Sequence, residues 1–415
     1  MAARTAESPA AADAPVSNVE IAEWLHEYYG PHPSNFEFYL LCAEGSTMVS
    51  SILTRADLCQ INAPLESLRM PCKHETESFD PLYGSKQYVL DRREALFARV
   101  KSKGVRIDDK PLYRLVALDR AGLTFSGSVY NGFLKYARSS SLLFEELCDE
   151  VPQCRDQSLR GRFNTWRRSG DLLRNKVLPR DVDFSQPSNW LCCGGFGVLM
   201  AFNTGRKHTA ADGRVVDEYE FPLQTRSVKV ADGRNKLALI PKGFHQPTNA
   251  DFQGGHSLRH AVFREFGEEL FDLKEAEDLQ DEVHCDAIFH QHPGLHWFIE
   301  EENTASFSAE LVSFGLNTIN GNYDYGVLVV VKDPQYYQQY FHKMKKNWEG
   351  KELQWTKTWD KERIRNLVLM SDAWTFESLF HFCECLTRLK ALLGDGVDLP
   401  SLERVTPVSG VRKKL

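Results

Sequence analysis

The sequence predicts an α/β fold for its C-terminal half, preceded by a smaller α+β domain. Short apolar runs bounded by turn residues recur there, as in Gly195–Phe202 (GFGVLMAF) and Tyr325–Lys332. Longer segments between and after them, from Ser257 to Leu270 and from Trp374 to Leu393, carry apolar residues at helical spacing. A short polar run with an internal proline, Pro179–Asn189, separates the two halves.

At 415 residues the chain exceeds the ~100–200 of a typical domain, so two domains are expected. The expected partition is a disordered arm at 1–17, an N-terminal domain of unknown role at 18–180, a second domain at 185–395 and a tail at 396–415. With 42% hydrophobic, 26% charged and 11% aromatic residues, the composition is that of a globular chain with a sizeable core. The formal charge of −7 comes from acidic and basic residues interleaved along the chain. A nucleic-acid partner needs a clustered positive surface, so none is expected. A small nucleotide held through metal ions stays open.

No run approaches the ~18 apolar residues of a membrane span, so no membrane association is expected. The opening segment MAARTAESPAAADAP lacks an apolar core and contains acidic residues, which argues against a targeting peptide and for a cytoplasmic location. The ten cysteines form no pair of CxxC knuckles, so neither a structural zinc site nor a disulfide framework is expected.

In the N-terminal half, Ile21, Trp24, Leu25 and Tyr28 predict a helix over Val19–Tyr29. Phe36–Cys42 and Tyr88–Val100 continue the apolar patterning around a proline-containing stretch at 62–86. Tyr113–Leu118 and Leu123–Val129 read as two strands joined by a turn, and Asn131–Glu150 as a helix. In the C-terminal half, strands are expected at Gly195–Phe202, Arg226–Val230, Leu237–Ile240, Glu310–Asn317 and Tyr325–Lys332. The last helix, Trp374–Leu393, shows an apolar face of Phe376, Leu379, Phe380, Cys383, Leu386 and Leu389.

The segment Gly254–Phe271 (GGHSLRHAVFREFGEELF) carries the chemistry. Ser257 is a suitable N-cap, and Leu258, Val262, Phe266 and Leu270 fall four apart as one buried stripe. Glu265, Glu268 and Glu269 then share a face, with Cβ atoms roughly 5–6 Å apart. Three like charges so close repel unless something positive sits among them. Arg264 is one candidate. A hard divalent cation is another, because Mg²⁺ binds through a few carboxylates plus substrate phosphates. Such a site suits diphosphate hydrolysis: the metal shields phosphate oxygens and acidifies a bound water, which a spare carboxylate helps deprotonate.

Arg264-Glu265-Phe266-Gly267-Glu268-Glu269 resembles the Arg-Glu-apolar-x-Glu-Glu core of the Nudix box, and Leu239-Ile240-Pro241-Lys242-Gly243 resembles the strand end that leads into it. The Nudix resemblance implies an α/β/α sandwich with a mixed sheet over 185–395, and cleavage of a nucleoside diphosphate linked to another group. It implies Mg²⁺ or Mn²⁺ on Glu265, Glu268 and Glu269, with Arg264 orienting a carboxylate. Lys242, Gly243 and Gly255 would border the nucleotide. His256 stands where the family has its first glutamate, and Phe271 replaces the glycine after the paired glutamates. Asp272 stands where an apolar residue is expected, and the loop from Gly243 to His256 is seven residues longer than the family spacing. These departures motivate an alternative, a Nudix-like nucleotide-binding module that has lost turnover and serves as a sensor or in assembly. A homodimer is left open. The family's additional acidic residue has candidates in Glu300, Glu301, Glu302, Glu310 and Asp324.

His284, Cys285, His290, His292 and His296 form a second cluster whose spacing matches no zinc pattern, and His292-Pro293-Gly294 reads as a turn beside the pocket. Cys192-Cys193 opens a strand with no base identifiable nearby, which favours packing over nucleophilic chemistry.

Overall fold

The computed structural model describes residues 16–30, 35–43, 46–77, 80–106, 111–121, 123–131, 134, 137–139, 142–153, 172–230, 233–247, 257–273, 292–301, 304–400 and 402–405. The first helix, α1 (Asn18–Tyr29), starts at a capping box in which Ser17 and Glu20 satisfy each other's backbone amides. Strands β1 (Glu37–Ala43) and β2 (Ser46–Thr54) follow, then β3 (Ala63–Pro64), β4 (Cys72–Glu77), α2 (Gln87–Ser102), β5 (Pro111–Asp119), β6 (Thr124–Asn131) and α3 (Leu143–Gln153). The C-terminal half runs β7 (Gly194–Thr209), β8 (Val215–Arg226), β9 (Leu237–Leu239), β10 (Lys242–Phe244), α4 (Leu258–Phe271), α5 (Pro293–Glu300), β11 (Phe307–Asn317) and β12 (Asn322–Val331). It ends with α6 (Pro334–Tyr340), β13 (Gly350–Lys357), α7 (Lys361–Leu369), α8 (Phe376–Leu393) and β14 (Glu403–Val405).

The main sheet has the order β13-β8-β7-β12-β11-β2-β1-β14, with β9, β10 and β3 paired at its margins. It is mixed, because β7 and β12 run parallel while their other neighbours are antiparallel. Both faces are covered. Val198, Met200 and Phe202 of β7 share a core with Val262, Phe263, Phe266 and Phe298, whereas Leu199 and Ala201 share one with Phe380, Phe382 and Cys385. The central strands therefore read as continuous apolar runs rather than alternating ones. At ~1.5–3 kcal/mol for each large apolar side chain buried, these two cores outweigh any single polar contact.

The segment expected as a domain of its own at 18–180 contributes to this same sheet. Leu53 and Ile52 of β2 pair with Leu316 and Asn317 of β11, and β1 pairs with β14. A smaller sheet, β4-β6-β5, docks on it through Tyr113 N to His245 O and Leu115 N to Cys192 O. Arg174, fully buried, donates to Tyr29 Oη and to the carbonyls of Thr318 and Ile319, pinning the N-terminal half to the β11–β12 turn.

Three expected elements are corrected. The helix expected over Asn131–Glu150 is broken: Asn131 ends a strand, Leu134 and Ala137 are helical, a turn follows at 138–139, and a second helix runs from Leu143. The strand expected at Arg226–Val230 ends at Arg226, and lies instead upstream as Val215–Arg226, where acidic residues interrupt the apolar pattern. The expected tail is partly packed: Val397 and Leu399 are buried and β14 joins the sheet. Residues 1–15 and 406–415 lie outside the described residues.

Candidate functional site

The site assembles where β9 and β10 meet β7. After β9 a cis Ile240–Pro241 peptide leads into β10, where Lys242 and Gly243 pair with Gly197 and Phe196. Two glycines permit the approach. A Cβ on Gly195 would lie 2.2 Å from the Gly243 carbonyl oxygen, and one on Gly243 would lie 2.5 Å from Glu265 Cδ.

Helix α4 faces this strand. Ser257 caps it by accepting from His260 N at 3.3 Å, and the stripe of Leu258, Val262, Phe266 and Leu270 is at most 1% exposed. The opposite face is buried as well. Glu265, Glu268 and Glu269 are 7%, 6% and 1% exposed, which rules out an ordinary solvated glutamate face. Arg264 lies between two of them, with Nη2 2.7 Å from Glu265 Oε1 and Nη1 3.2 Å from Glu268 Oε2. Glu269 turns the other way, its Oε2 accepting from Gln224 Nε2 at 3.1 Å and from Lys242 N at 3.2 Å. Its Oε1 has no hydrogen-bond partner among the described residues. Burial, joined by the charges of Glu349 and Glu265, pushes the Glu269 carboxyl well above the usual range.

Lys242 links this helix to a second polar layer. Its Nζ is 3.2 Å from Glu377 Oε1, and Glu377 Oε2 accepts from Asn317 Nδ2 at 3.2 Å. Beside them, Asp324 Oδ1 is 3.0 Å from His381 Nε2, and His381 Nδ1 is 2.8 Å from Ser313 Oγ. All three of these side chains are buried, and burial pushes the Asp324 carboxyl up despite its bond to His381. A Cβ on Gly326 would lie 2.2 Å from His381 Nδ1, so this layer also rests on a glycine.

Arg264, Glu265, Glu268, Glu269, Lys242 and Gly243 thus meet as neighbours, while Gly255 and His256 lie outside the described residues. The three glutamates share the helix but do not converge: among the described residues no group of three or more His, Cys, Asp or Glu is placed to hold a metal ion. Of the additional acidic candidates among the described residues, Asp324 alone reaches the cluster. Glu310 is tied to Arg388, Glu300 to His296, and Glu301 to Thr304 and Ser306, while Glu302 is outside the described residues. Glu377, His381 and Gln224 escape sequence reasoning. Their signal was faint: Glu377, His381 and Glu384 recur along α8 as one buried polar stripe on a helix otherwise read as apolar.

At Phe271, where the resemblance led to an expectation of glycine, α4 continues through the residue. The left-handed residue is Asp272, with φ 53°, and the Phe271 ring stacks on His292 at 4.1 Å. Asp272, where an apolar residue was expected, is exposed and pairs with Lys345 at 3.0 Å. His292 caps α5 by accepting from Gly294 N at 3.1 Å, so its role is local; His284, Cys285 and His290 lie outside the described residues. Burial raises the thiols of Cys192 and Cys193, in keeping with packing. Among the described residues no helix is long and apolar enough to cross a membrane.

Compared with known proteins, the chain matches no family model and no curated sequence.

Proposed function

We propose that the chain is a Nudix-type, metal-dependent hydrolase of a nucleoside diphosphate linked to another group. The observation that supports it is the burial of three glutamates on α4 with one carboxylate oxygen, Glu269 Oε1, left without a partner among the described residues. Burying such a group without compensation costs about 1–3 kcal/mol, which a stability role alone does not recover. The helix-covered mixed sheet is also the arrangement the resemblance implies.

The residues fit Mg²⁺ or Mn²⁺ in chemical type. All three donors are hard carboxylate oxygens, and the unpartnered oxygen of Glu269 is close enough to Glu265 for their charges to oppose each other. When bound, the metal would shield the diphosphate and acidify a water. The chain's own residues would do the rest. Arg264 holds Glu265 and Glu268 in place, and the Lys242 amide orients Glu269. Glu269, whose proton affinity is raised by burial, suits a proton acceptor.

The second reading, nucleotide binding without turnover, draws on Arg264, which already engages both Glu265 and Glu268. A hydrolysis panel separates the two. Nucleoside triphosphates, nucleotide sugars, ADP-ribose and dinucleoside polyphosphates are offered with Mg²⁺ or Mn²⁺, to the wild-type chain and to Glu268→Gln and Glu269→Gln. Turnover lost in the variants supports the enzyme. A metal-dependent thermal shift with intact nucleotide supports the sensor, and unchanged turnover in both variants rules out the assigned site.

A further inference from the structure

Gln224 of β8 is fully buried, and the two ends of its amide have different surroundings. Nε2 donates to the Leu239 carbonyl at 3.3 Å and to Glu269 Oε2 at 3.1 Å, which uses both of its hydrogens. Those two acceptors fix which end of the amide is nitrogen, so Oε1 is the end turned elsewhere. It faces the start of β13, where a Cβ added to Gly350 would lie 3.3 Å from it. Oε1 has no hydrogen-bond partner among the described residues, and neither has Glu269 Oε1. The two groups joined by one N–H···O bond thus each carry a stranded, buried oxygen.

Buried acceptors normally find a donor, and a buried carboxylate normally finds a cation. The cations around this pair are engaged with other groups. Arg264 is bound to Glu265 and Glu268. Arg226, two residues along the same face of β8, is 3.5 Å from Glu349. Lys346 donates to the Gly350 carbonyl at 3.0 Å. Lys242 turns its Nζ to Glu377 and gives Glu269 only its backbone amide.

One carboxylate oxygen beside one neutral amide oxygen is a hard donor set. Mg²⁺ commonly binds through one or two carboxylates, with water and phosphate oxygens at its remaining positions, and Mn²⁺ favours the same oxygen ligands. Three converging glutamates are therefore not required. We propose that Gln224 is a metal ligand, its Oε1 and Glu269 Oε1 together seating the divalent ion on the β8 side of α4. This rests on the metal-dependent reading above, and it adds a ligand from outside the acidic helix.

Mn²⁺ alone provides the test. The full chain is titrated with Mn²⁺ and followed by loss of the free-ion electron paramagnetic resonance signal, with melting temperature as a second readout. The wild-type chain is expected to bind the ion, and Glu269→Gln and Gln224→Met are each expected to weaken it about tenfold or more. A loss in Gln224→Met would also follow if Gln224 only held Glu269 through Nε2, so two further variants separate the roles. Gln224→Glu removes the Nε2 donor, keeps an oxygen and adds a charge. Its melting temperature should fall in EDTA, and Mn²⁺ should raise it by more than in the wild-type chain. Gly350→Ala leaves both Nε2 bonds in place and crowds Oε1, so it should weaken Mn²⁺ binding severalfold. If Gln224→Glu does not fold, Gly350→Ala decides between the roles. Unchanged affinity in Gln224→Met or in Gly350→Ala, or no Mn²⁺ bound by the wild-type chain, overturns the proposal. Binding lost in Glu268→Gln and Glu269→Gln but kept in Gln224→Met would leave the enzyme reading standing and this one lost; Mn²⁺ binding that depends on Gln224, with no nucleotide hydrolysed, would do the reverse.

Discussion

The carboxylate of Glu265 occupies the space that a side chain at position 243 would need: a Cβ there would lie 2.5 Å from Glu265 Cδ. Gly243 therefore sets the position of an acidic group on a different element. Gly243→Ala is expected to destabilise the chain by about 1–3 kcal/mol, as overpacking does. Adding Glu265→Ala should recover part of that loss, a coupling that a double-mutant cycle in urea measures. Additive effects would mean that the two sites do not share this space.

Glu269 gives a pH dependence of known sign. Its carboxyl is raised by burial, so the folded chain binds its proton more tightly than the unfolded chain. The stability linked to this group is fully present below the unfolded carboxyl range and is lost as pH rises through the folded value. In EDTA, Glu269→Gln is expected to melt above the wild-type chain at pH 8, with the difference vanishing below about pH 4. Melts at a series of pH values check it, and a variant less stable at high pH contradicts it.

Arg264 compensates two buried carboxylates at once. Arg264→Ala leaves Glu265 and Glu268 without that cation and is expected to cost about 3–5 kcal/mol in EDTA. If a divalent ion binds beside these groups, Mn²⁺ should raise the melting temperature of this variant more than that of the wild-type chain. An equal shift in both would place the ion elsewhere.

At the end of α4, Phe271→Gly introduces the glycine of the Nudix pattern and is still expected to be harmful. The ring is packed on His292 and the position is helical, so the loss should reach about 3 kcal/mol or more. Asp272→Gly should be neutral or stabilising by up to about 1 kcal/mol, because glycine adopts φ 53° without strain. Denaturant melts of the two variants should therefore move in different directions.

Ser313, His381 and Asp324 line up as hydroxyl, imidazole and carboxylate, yet Ser313 and His381 are fully buried. The line fastens α8 to β11 and β12. A fluorophosphonate probe is expected to leave Ser313 unlabelled in the folded chain. His381→Ala should cost about 2–4 kcal/mol through a void and two stranded polar groups. Labelling of Ser313 in native conditions would point to an open site instead.

What the sequence revealed was local. Ser257, the stripe from Leu258 to Leu270 and the strands around Phe196, Phe314 and Val329 each carry their signal within a dozen residues. Pairing between β2 and β11 joins residues near 52 and 317, and no local pattern encodes it. Glu377 and His381 were hidden for a related reason. A polar residue on a helix reads as solvated until the sheet that covers it is known. The Arg226–Val230 strand was misplaced because Asp217, Glu218 and Glu220 break the apolar alternation of the true one, although Glu218 and Glu220 are buried beside Arg206 and Lys357.

The pairing of Leu40 with Val405 closes the sheet between nearly opposite ends of the sequence. Strands so far apart must wait for each other, and long-range pairing of this kind slows folding because the loop entropy is lost before the contacts form. During synthesis β1 and β2 emerge first, as an unfinished hairpin whose outer partners, β11 and β14, are still to be translated. The nascent chain therefore carries open strand edges until β14 has been translated, and those edges are open to aggregation throughout that interval.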